Sequence, residues 1–430
     1  MSAALRYRPT PISLDANGPH SRTFHDTRQH LPGRAPLEAS DYAGFERHAL
    51  FHDLYLSADG RAIEAVGPPL VNLAGEILPV TLTVPADEGR GLRHRMRHYD
   101  RLTVHRFALP RALHGHDSLD VHVTFAHGQR EERALRRVAL APVTLQVTTL
   151  QKDNPLEWIV DWLDWLGLLG VERVLLYDNG SRNADALFAA LSRSADARPS
   201  LVFIDWPYAY GPVRSYYNQF AQATQNNHAH RCLGRAEWTG HFDVDEFPLI
   251  ASRPPVANAL RRRVDAAGGR TGLLRLDSFW VPDVRDAASD VRPTVRDFDH
   301  REREARGRAH KYLVRGRALR MANTHNARLR PGWTWRTPSV TAWPAAGAGP
   351  ASGISTTVSG AEASATRATP PSTPTTSPAT PAAATRCCQS RGEARRHCRP
   401  TSATGCCRCD ACGITSRVGP PRTCASSATS

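Results

Sequence analysis

The sequence lacks any apolar run long enough to cross a membrane. A spanning helix needs roughly 20 consecutive apolar residues, and the first forty residues of this chain are polar, without the apolar core of a signal peptide. These absences predict a protein that has no transmembrane segment and is cytoplasmic.

Lysine is also nearly absent. Lys152 and Lys311 are the two lysines of the 430-residue chain, so its positive charge comes almost wholly from arginine and gives a net charge of +14. The arginines are spread along the sequence instead of forming one basic stripe with interleaved aromatic residues, the arrangement typical of nucleic-acid-binding proteins. The composition therefore predicts no nucleic-acid partner, and it draws attention to the two lysines.

The last ninety residues lack leucine, phenylalanine, tyrosine and lysine, yet they contain eight of the nine cysteines. Such a segment cannot form a core, so residues 337–430 are predicted to be a disordered low-complexity tail. Cys409 and Cys412 have the spacing of two zinc ligands, but no separate second pair in a folding context accompanies them. We explain the tail by a reading-frame change near residue 338. If resequencing finds no leucine-bearing folded sequence in another frame, this hypothesis fails.

The remaining sequence has three parts. Residues 1–45 mix proline, histidine, arginine and glycine without a hydrophobic period, which predicts a disordered lead-in. From 46 to 145, short apolar runs alternate with glycine, aspartate and proline breaks, which predicts a small β-rich domain. Between 146 and 336, β-branched runs alternate with helical patterns, which indicates an α/β domain with a mainly parallel sheet.

Three polar motifs follow predicted strands of the α/β domain. They are KDN at 152–154, DNGS at 178–181 and DVDEF at 243–247. Ligands of parallel sheets bind beyond the carboxyl ends of the strands, so these motifs are the candidates for a binding site.

Asp243 and Asp245 flank Val244 in the run HFDVDEFPLI. In an extended segment both carboxylates point the same way, while Val244 turns into the core. Two carboxylates directed at one point repel each other unless a cation lies between them, and Mg²⁺ or Mn²⁺ suits such a site because it also accepts phosphate oxygens. The motif therefore predicts a metal that bridges to a diphosphate. The alternative is pairing with nearby arginines on a solvated edge: Arg253, Arg261 and Arg263.

Four features in a fixed order resemble one enzyme family. They are LQKDNPLEWIVDWLDWLGLLGVERVLLYDNGS, a Gln/Asn-rich helix from Gln219 to His228, the W-x4-DVDEF segment, and HKYLVR followed by a lone histidine. Over residues 146–336 they resemble glycosyltransferases of family 92, which have the GT-A fold and are related to family 2. The resemblance implies a Rossmann-like, mainly parallel GT-A domain. It also implies a UDP- or GDP-sugar donor, a carbohydrate or glycoconjugate acceptor, and Mn²⁺ or Mg²⁺ as cofactor.

The resemblance also implies roles for residues at the first two strand ends. Asp178 would recognise the base or ribose of the nucleotide, and Asn179 and Ser181 would shape its turn. Lys152 and Asn154 would line the same nucleotide pocket.

A second group would handle the reacting end of the donor. Asp243 and Asp245 would be the metal-binding pair, His325 a further ligand, and Glu246 would orient them through hydrogen bonds. Lys311 would neutralise the diphosphate. His325 and Lys311 also have ordinary interpretations, since an isolated histidine is often a capping or core residue and a lysine is often at the surface.

The resemblance leaves the acceptor side open. An inverting enzyme needs a carboxylate or histidine to deprotonate the acceptor hydroxyl, and Asp277 is our candidate. The same stretch, LDSFWVPDVRD, contains two further acids, Asp283 and Asp286. It also departs from the family, because a segment of the Phe-Gly-Ser type is replaced by LDSFW.

Two other functions stay open at this point. One is a non-catalytic or truncated remnant that binds nucleotide sugar or carbohydrate, which the abnormal C-terminus favours. The other is a metal-dependent phosphatase or nuclease built around DVDEF. Against the second, the Asp-X-Asp comes late in the domain and is followed by Glu-Phe, whereas phosphatases of the haloacid dehalogenase type place it after the first strand.

Overall fold

The computed structural model describes eleven segments of the chain. They are residues 4–23, 46–138, 140–193, 199–210, 220–233, 235–249, 257–280, 310–337, 356–359, 406–408 and 415–417. The chain divides into two compact units, Met1–Ala363 and Ser364–Ser430. The described helices all lie in the first unit, and none of them is long and apolar enough to span a membrane.

The N-terminal part of the first unit consists mainly of short strands. They are β1 (Leu5–Tyr7), β2 (Ile12–Ser13), β3 (Ala49–Phe51), β4 (Asp53–Leu56), β5 (Ala62–Gly67), β6 (Thr81–Thr83), β7 (Arg93–Tyr99), β8 (Leu102–Ala108), β9 (Ser118–Thr124) and β10 (Arg130–Arg136). One short helix, α1 (Ala74–Ile77), interrupts them. Antiparallel sheets with the orders β4-β5-β8-β7 and β10-β9-β6 enclose a core, into which β9 directs every second residue: Leu119, Val121 and Val123.

The following part alternates strands and helices. Its strands are β11 (Val143–Gln151), β12 (Arg173–Asp178), β13 (Ser200–Asp205), β14 (Ala236–His241), β15 (Glu246–Leu249), β16 (Thr271–Trp280), β17 (His310–Arg315), β18 (Leu319–Ala322), β19 (Ala327–Leu329), β20 (Thr334–Arg336) and β21 (Thr356–Ser359). Its helices are α2 (Leu156–Leu168), α3 (Ala184–Arg193), α4 (Phe220–Arg231) and α5 (Ala259–Asp265). In the second unit, β22 (Cys406–Arg408) pairs with β23 (Thr415–Arg417).

A ten-stranded sheet forms the centre of the first unit. Its order is β1-β13-β12-β11-β14-β17-β16-β21-β15, and β20 pairs with β16. The first five strands in this order, β1, β13, β12, β11 and β14, are parallel to one another. The pairs β14–β17 and β17–β16 are antiparallel. This mixed α/β architecture with a mostly parallel sheet confirms the predicted fold class. It also places the carboxyl ends of four neighbouring strands at one edge.

Helix α2 shows why this sheet forms where the sequence predicts it. Pro155 precedes the first helical turn, where a missing N–H costs nothing. Ile159, Trp162 and Leu166 then recur at helical spacing and are buried against the sheet. The Trp162 indole N–H donates to the Glu246 carbonyl at 3.0 Å, so the helix also supports the start of β15.

The structure differs from the disordered lead-in predicted for residues 1–45. β1 pairs in parallel with β13 at the edge of the central sheet, and the Arg6 guanidinium lies 2.9 Å from the Asp205 carboxylate. Three residues are enough here, because an edge strand offers unpaired backbone groups to any segment that reaches it. The prediction of disorder rested on the low apolar content of the segment. It therefore missed a strand that is held by backbone pairing with β13. Residues 24–45 lie outside the described residues.

Most of the predicted tail also lies outside the described residues. Beyond residue 337 the structure describes β21, β22 and β23, and β21 pairs with β15 and β16. The disordered tail and the reading-frame change therefore stay predictions.

A buried hydrogen-bond network joins the two parts of the first unit. The carboxylate of Asp53, on β4, accepts hydrogen bonds from the Tyr7 hydroxyl at 2.6 Å and the Thr10 backbone N–H at 2.7 Å. The same carboxylate lies 2.7 Å from His228 Nε2 on α4, and His228 Nδ1 lies 2.8 Å from the Tyr177 hydroxyl. One aspartate thus links β1, β4 and α4.

The burial of His105 leads us to expect that the fold loses stability in acid. The imidazole is fully buried on β8, and burial, together with nearby His94 and His98, lowers its pKa from 6.5 to about 3. The unfolded chain takes up a proton near pH 6.5, whereas the folded chain resists protonation down to about pH 3, so the free energy of unfolding falls as the pH drops between these values. We expect His105→Gln to show a decline shallower by about 1 kcal/mol per pH unit in urea unfolding. The exposed His116→Gln should behave like wild type; equal slopes for wild type and His105→Gln would disprove the assignment.

Candidate active site

Three parallel strands end at the same level of the central sheet. Gln151 at the end of β11 lies beside Asp178 of β12, and Asp178 lies beside Asp205 of β13. A cleft of about 540 Å³ opens at these ends. Its lining consists of Leu150, Gln151, Lys152, Asn179, Gly180, Pro207, Tyr208, Ala209 and Tyr210. Lys152 and Asn179, both predicted to bind nucleotide, thus share one cleft at the place where such a sheet binds ligands.

The carboxylate of Asp178 organises the turn behind this cleft. It is buried, and it accepts hydrogen bonds from the Gln151 side-chain amide and from the Ser181 backbone N–H, the latter at 2.9 Å. The Ser181 hydroxyl in turn accepts from the Asp153 backbone N–H at 2.8 Å. Asp178 is not part of the cleft lining. The structure therefore places it in support of the turn, behind the space predicted for the base or ribose.

Asn179 ties the ends of three strands together. Its backbone N–H donates to the Gln151 carbonyl at 2.7 Å, and its side-chain amide donates to the carbonyls of Trp206 and Tyr208, both at 2.8 Å. Asn154 makes a weaker contact, since its amide nitrogen lies 3.5 Å from Gln151 Oε1. The DNGS turn thus builds one wall of the cleft, and Tyr208 adds an aromatic ring to the lining.

Residues 243–246 form a tight turn between β14 and β15. The Glu246 N–H donates to the Asp243 carbonyl at 3.0 Å, and the Asp243 N–H donates to the Glu246 carboxylate at 2.9 Å. Val244 is buried in the core, as predicted. We predicted an extended backbone here, with both aspartates pointing the same way. That prediction is wrong, because the two reciprocal hydrogen bonds between Asp243 and Glu246 bend the chain into a turn.

The Lys311 ammonium lies against this acidic turn. Its Nζ is 2.6 Å from Asp243 Oδ2 and 2.9 Å from Glu246 Oε2, and the side chain is buried. Burial favours a neutral lysine, but the two carboxylates outweigh it and raise the pKa of Lys311. Burial also raises the pKa of Glu246 above its ordinary value, while the Lys311 ammonium acts in the opposite direction. Arg261, one of the alternative partners considered above, forms ion pairs elsewhere.

Hydrogen bonds connect the cleft with the acidic turn. The Tyr210 hydroxyl, in the cleft lining, donates to Gln222 Oε1 at 3.3 Å, and Gln222 Nε2 donates to Asp243 Oδ1 at 3.4 Å. Strand β14, which leads into the turn, runs parallel to β11. Both features therefore lie at the same edge of the sheet, and a ligand that fills the cleft and extends along this edge reaches Asp243.

The part of the chain that contains the cleft and the acidic turn is similar to a known protein family. Residues 142–337 match the family model described as Glycosyltransferase family 92. This stretch is therefore similar to glycosyltransferase family 92, and we call it the family 92 region. The match begins just before β11 and ends after β20, so it includes the cleft, the acidic turn and Lys311 and confirms the resemblance drawn from the four sequence features. A comparison with curated proteins gives no match.

His325, the third predicted metal ligand, lies near the acidic turn of the family 92 region. The pKa of its imidazole is lowered, first because part of the ring is shielded from water and second because the Lys311 ammonium is near, while Asp243 acts in the opposite direction. The residue as a whole is exposed. The imidazole also hydrogen-bonds to the backbone of His310, the residue before Lys311, and it is within reach of solvent.

The acidic turn has the donor chemistry of a Mn²⁺ or Mg²⁺ site. Carboxylate oxygens of Asp243 and Asp245, with the His325 imidazole, are suitable ligands. Asp243 Oδ1 is available for this role, since its contact with Gln222 is long, whereas Oδ2 is held by Lys311. The three ligand atoms do not all lie within 4.8 Å of one another in the described structure, so an ion would have to draw them together.

A different set of metal-type side chains does converge in the interior. Ligand atoms of Asp53, His228 and Cys232 lie within 4.8 Å of one another, the one such group among the described residues. These side chains already bond to one another or to Tyr7, whose hydroxyl lies 3.6 Å from Cys232 Sγ. We interpret this group as part of the buried hydrogen-bond network.

Asp277, the candidate base of the family 92 region, does not lie beside the acidic turn. It lies opposite His310 in the β16–β17 pair, and Lys311 is the next residue along β17. Neighbouring residues of a strand point to opposite faces, so Asp277 and Lys311 project from opposite faces of the sheet. Asp277 Oδ1 lies 3.3 Å from Arg275 Nε. Two further candidates lie outside the described residues: Asp283 and Asp286.

Sequence reasoning missed the contribution of Gln222 from helix α4. Ten of the twelve residues of this helix are buried although most of them are polar. A helix that is polar all round and buried must satisfy its side chains through internal hydrogen bonds, as Asn226 does with His241 at 2.9 Å. The Gln/Asn-rich segment has no amphipathic pattern. This feature of the sequence indicates that its polar side chains have hydrogen-bond partners inside the protein, as Gln222 has in Asp243.

Lys311→Met is expected to destabilise the fold and to strengthen its response to Mn²⁺. The variant leaves the Asp243 and Glu246 carboxylates without their cation, which costs about 3 kcal/mol of unfolding free energy. It also frees Asp243 Oδ2 for a metal, so Mn²⁺ should raise the Tm of the variant more than that of wild type. Thermal unfolding with and without Mn²⁺ measures both effects. Lys152→Met, at the other lysine, is the control; an equal Mn²⁺ response in wild type and Lys311→Met would argue against the competition.

Proposed function

We propose that the family 92 region transfers a sugar from a UDP- or GDP-sugar to a hydroxyl of a carbohydrate or glycoconjugate. The observation that carries this proposal is the hydrogen-bonded path from Tyr210 in the cleft through Gln222 to Asp243 in the acidic turn. A nucleotide-diphosphate sugar is an elongated ligand with a flat base at one end and negative charge in the middle. It suits an aromatic-lined cleft that leads to a site for cations.

The residues of the cleft would hold the nucleotide. Tyr208, whose ring is stacked on His52 on one side, adds an aromatic surface against which a base can pack. Lys152 is exposed at the cleft and adds a positive charge for the phosphates, while Asn179 and the turn behind it keep the wall rigid. Asp178 and Ser181 support this wall from behind, so their replacement would weaken nucleotide binding indirectly.

Two contacts fix Asp243 at the end of the path. Gln222 donates to one oxygen and Lys311 to the other, and Glu246 anchors the backbone of the turn. We propose that Asp243, Asp245 and His325 hold Mn²⁺ or Mg²⁺. Such an ion, when bound, stabilises the negative charge of the leaving diphosphate.

The acceptor hydroxyl must also lose its proton. Asp277 faces the other side of the sheet from Lys311, as shown above, so its geometry gives no support to the role of base. No base is therefore assigned among the described residues. The cytoplasmic location predicted from the sequence is part of the proposal, and cell fractionation tests it.

A second candidate is a binding protein that does not turn its donor over. The Lys311–Asp243 pair favours it, because a carboxylate held at 2.6 Å by a buried lysine is less available to a metal. The two candidates make the same prediction for nucleotide binding and opposite predictions for turnover.

Donor hydrolysis by the full chain separates them. Purified protein with UDP-glucose, UDP-galactose or a GDP-sugar and Mn²⁺ should release free nucleotide, and the release should rise when an acceptor is present. Asp265→Asn, on the exposed face of α5, is the control that leaves this activity unchanged. Nucleotide binding without any release from these donors favours the binding protein, whereas neither binding nor release would overturn both.

A further inference from the structure

A second cleft carries a concentration of positive charge. It has a volume of about 550 Å³ and shares no lining residue with the nucleotide cleft. Its lining comes from β7, from β18 and from the turn after β19: Arg97, His98, Tyr99, Arg320, Arg330 and Pro331. We call it the arginine cleft. It brings together residues of the β-rich part and of the family 92 region that lie more than two hundred positions apart in the sequence.

The three arginines of this cleft are exposed and lack acidic partners. Within the described residues, none of them forms an ion pair, in contrast to Arg6, Arg106, Arg137 and Arg261. The side chain of Arg330 is held in place because its Nε donates to the Leu319 carbonyl at 3.1 Å. Guanidinium groups without carboxylates are suited to bind an external anion, since they present paired donors in a planar fork.

One buried donor of this cleft also lacks a partner. The Tyr99 hydroxyl is buried without a hydrogen-bond partner among the described residues. Buried hydroxyls are normally hydrogen-bonded, so this one is suited to donate to an acceptor oxygen of a ligand.

The positive charge extends beyond the cleft along the edge strand β7. Arg93, Arg95 and Arg97 alternate with less exposed residues and are themselves exposed, so they lie on one face of the strand. Four residues of a strand span about 13 Å. This length suits a chain of repeating units better than a single small anion.

We propose that the arginine cleft binds an anionic saccharide, with carboxylate or phosphate groups, as part of the acceptor. Binding of the saccharide to this cleft does not depend on the proposed function. The role of the saccharide as acceptor does rest on the proposed function. The concave shape and the tyrosine and proline in the lining favour a sugar chain over a flat membrane surface, because sugar rings present apolar faces that pack on such side chains.

Titration calorimetry on the full chain tests this proposal. The probes are a trisaccharide of galacturonic acid and an uncharged galactose trisaccharide of the same length. The charged probe should bind, more weakly as salt increases, while the uncharged probe should not. Arg97→Gln and Arg330→Gln should each weaken binding about tenfold, because each removes a charge-assisted hydrogen bond. Arg136→Gln, at an exposed position of β10 outside the cleft and away from β7, should change it less than threefold.

The other outcomes overturn the proposal. Equal binding of both trisaccharides would remove the role of charge, and equal affinities of wild type, Arg97→Gln and Arg330→Gln would place the ligand elsewhere. Equally tight binding of anionic phospholipid vesicles or RNA, with the same loss in both variants, would mean a general polyanion surface. UDP binding, measured on the same samples, should be unchanged in all three variants; if wild type binds the saccharide but not UDP or GDP, the proposed function fails and the cleft stands.

Discussion

Asp243→Asn is expected to lower donor turnover by about 10²- to 10³-fold. The substitution keeps the volume of the side chain but removes the charge that faces Lys311 at 2.6 Å and the proposed metal. It also replaces one of the two oxygens that accept from Gln222 Nε2 and Lys311 Nζ by an amide NH2 group, which cannot accept. The rate of sugar transfer or donor hydrolysis, measured at saturating donor with Mn²⁺, gives the result.

Two controls separate this effect from unfolding. The Tm of Asp243→Asn should stay within a few degrees of wild type, because Glu246 remains as a partner for Lys311 at 2.9 Å. Asp265→Asn removes an exposed carboxylate on α5 and should leave both turnover and Tm unchanged. Turnover within tenfold of wild type in a folded Asp243→Asn sample would remove this residue from the site.

Asp53→Asn is expected to destabilise the first unit by about 3 kcal/mol. The wild-type carboxylate is fully buried and accepts from the Tyr7 hydroxyl and the Thr10 backbone N–H while contacting His228. Asparagine offers one oxygen in place of two and adds two donors in a site that already contains donors. Chemical unfolding of the full chain measures the loss.

A graded set of variants identifies the cause. Tyr7→Phe removes one donor to Asp53 and should cost about 1 kcal/mol, whereas Asp120→Asn, at an exposed position of β9, should change stability by less than about 0.5 kcal/mol. The Tyr7 result also tests the placement of β1. An unchanged stability of Tyr7→Phe would mean that residues 5–7 do not dock as the structure describes.

Sequence patterns predicted the elements whose local signals agree with their surroundings. The β-branched run before KDN became β11, and the apolar face of PLEWIVDWLDWL became α2, since burial of that face needs only one sheet beside it. The order of strands and helices then implied a parallel sheet, and with it the edge at which Lys152 and Asn179 meet.

Features that depend on distant contacts could not be predicted. β1 has too few apolar residues to suggest a strand, and it forms one because β13 offers a free edge almost two hundred residues away. The partner of Asp243 was equally hidden: Lys311 was noted for its rarity, but only the antiparallel return of β17 beside β14 brings it to the acidic turn.

Local chemistry was also misread where two hydrogen-bonding patterns compete. An Asp-X-Asp after a strand fits either an extended segment or a turn, and the fourth residue decides between them. Glu246 accepts from the Asp243 N–H, which closes the turn. The same competition explains Asp178, whose carboxylate satisfies its own turn instead of facing the cleft.

The most direct measurement is the calorimetric titration of UDP and GDP into the full chain with and without Mn²⁺. The full chain is required because β1 belongs to the central sheet. Wild type should bind one of the nucleotides, more tightly with Mn²⁺, and Asp245→Asn should lose the Mn²⁺-dependent part while it keeps the Tm of wild type. Failure of folded wild type to bind either nucleotide, or unchanged Mn²⁺-dependent binding by Asp245→Asn, would contradict a nucleotide-sugar site at the acidic turn.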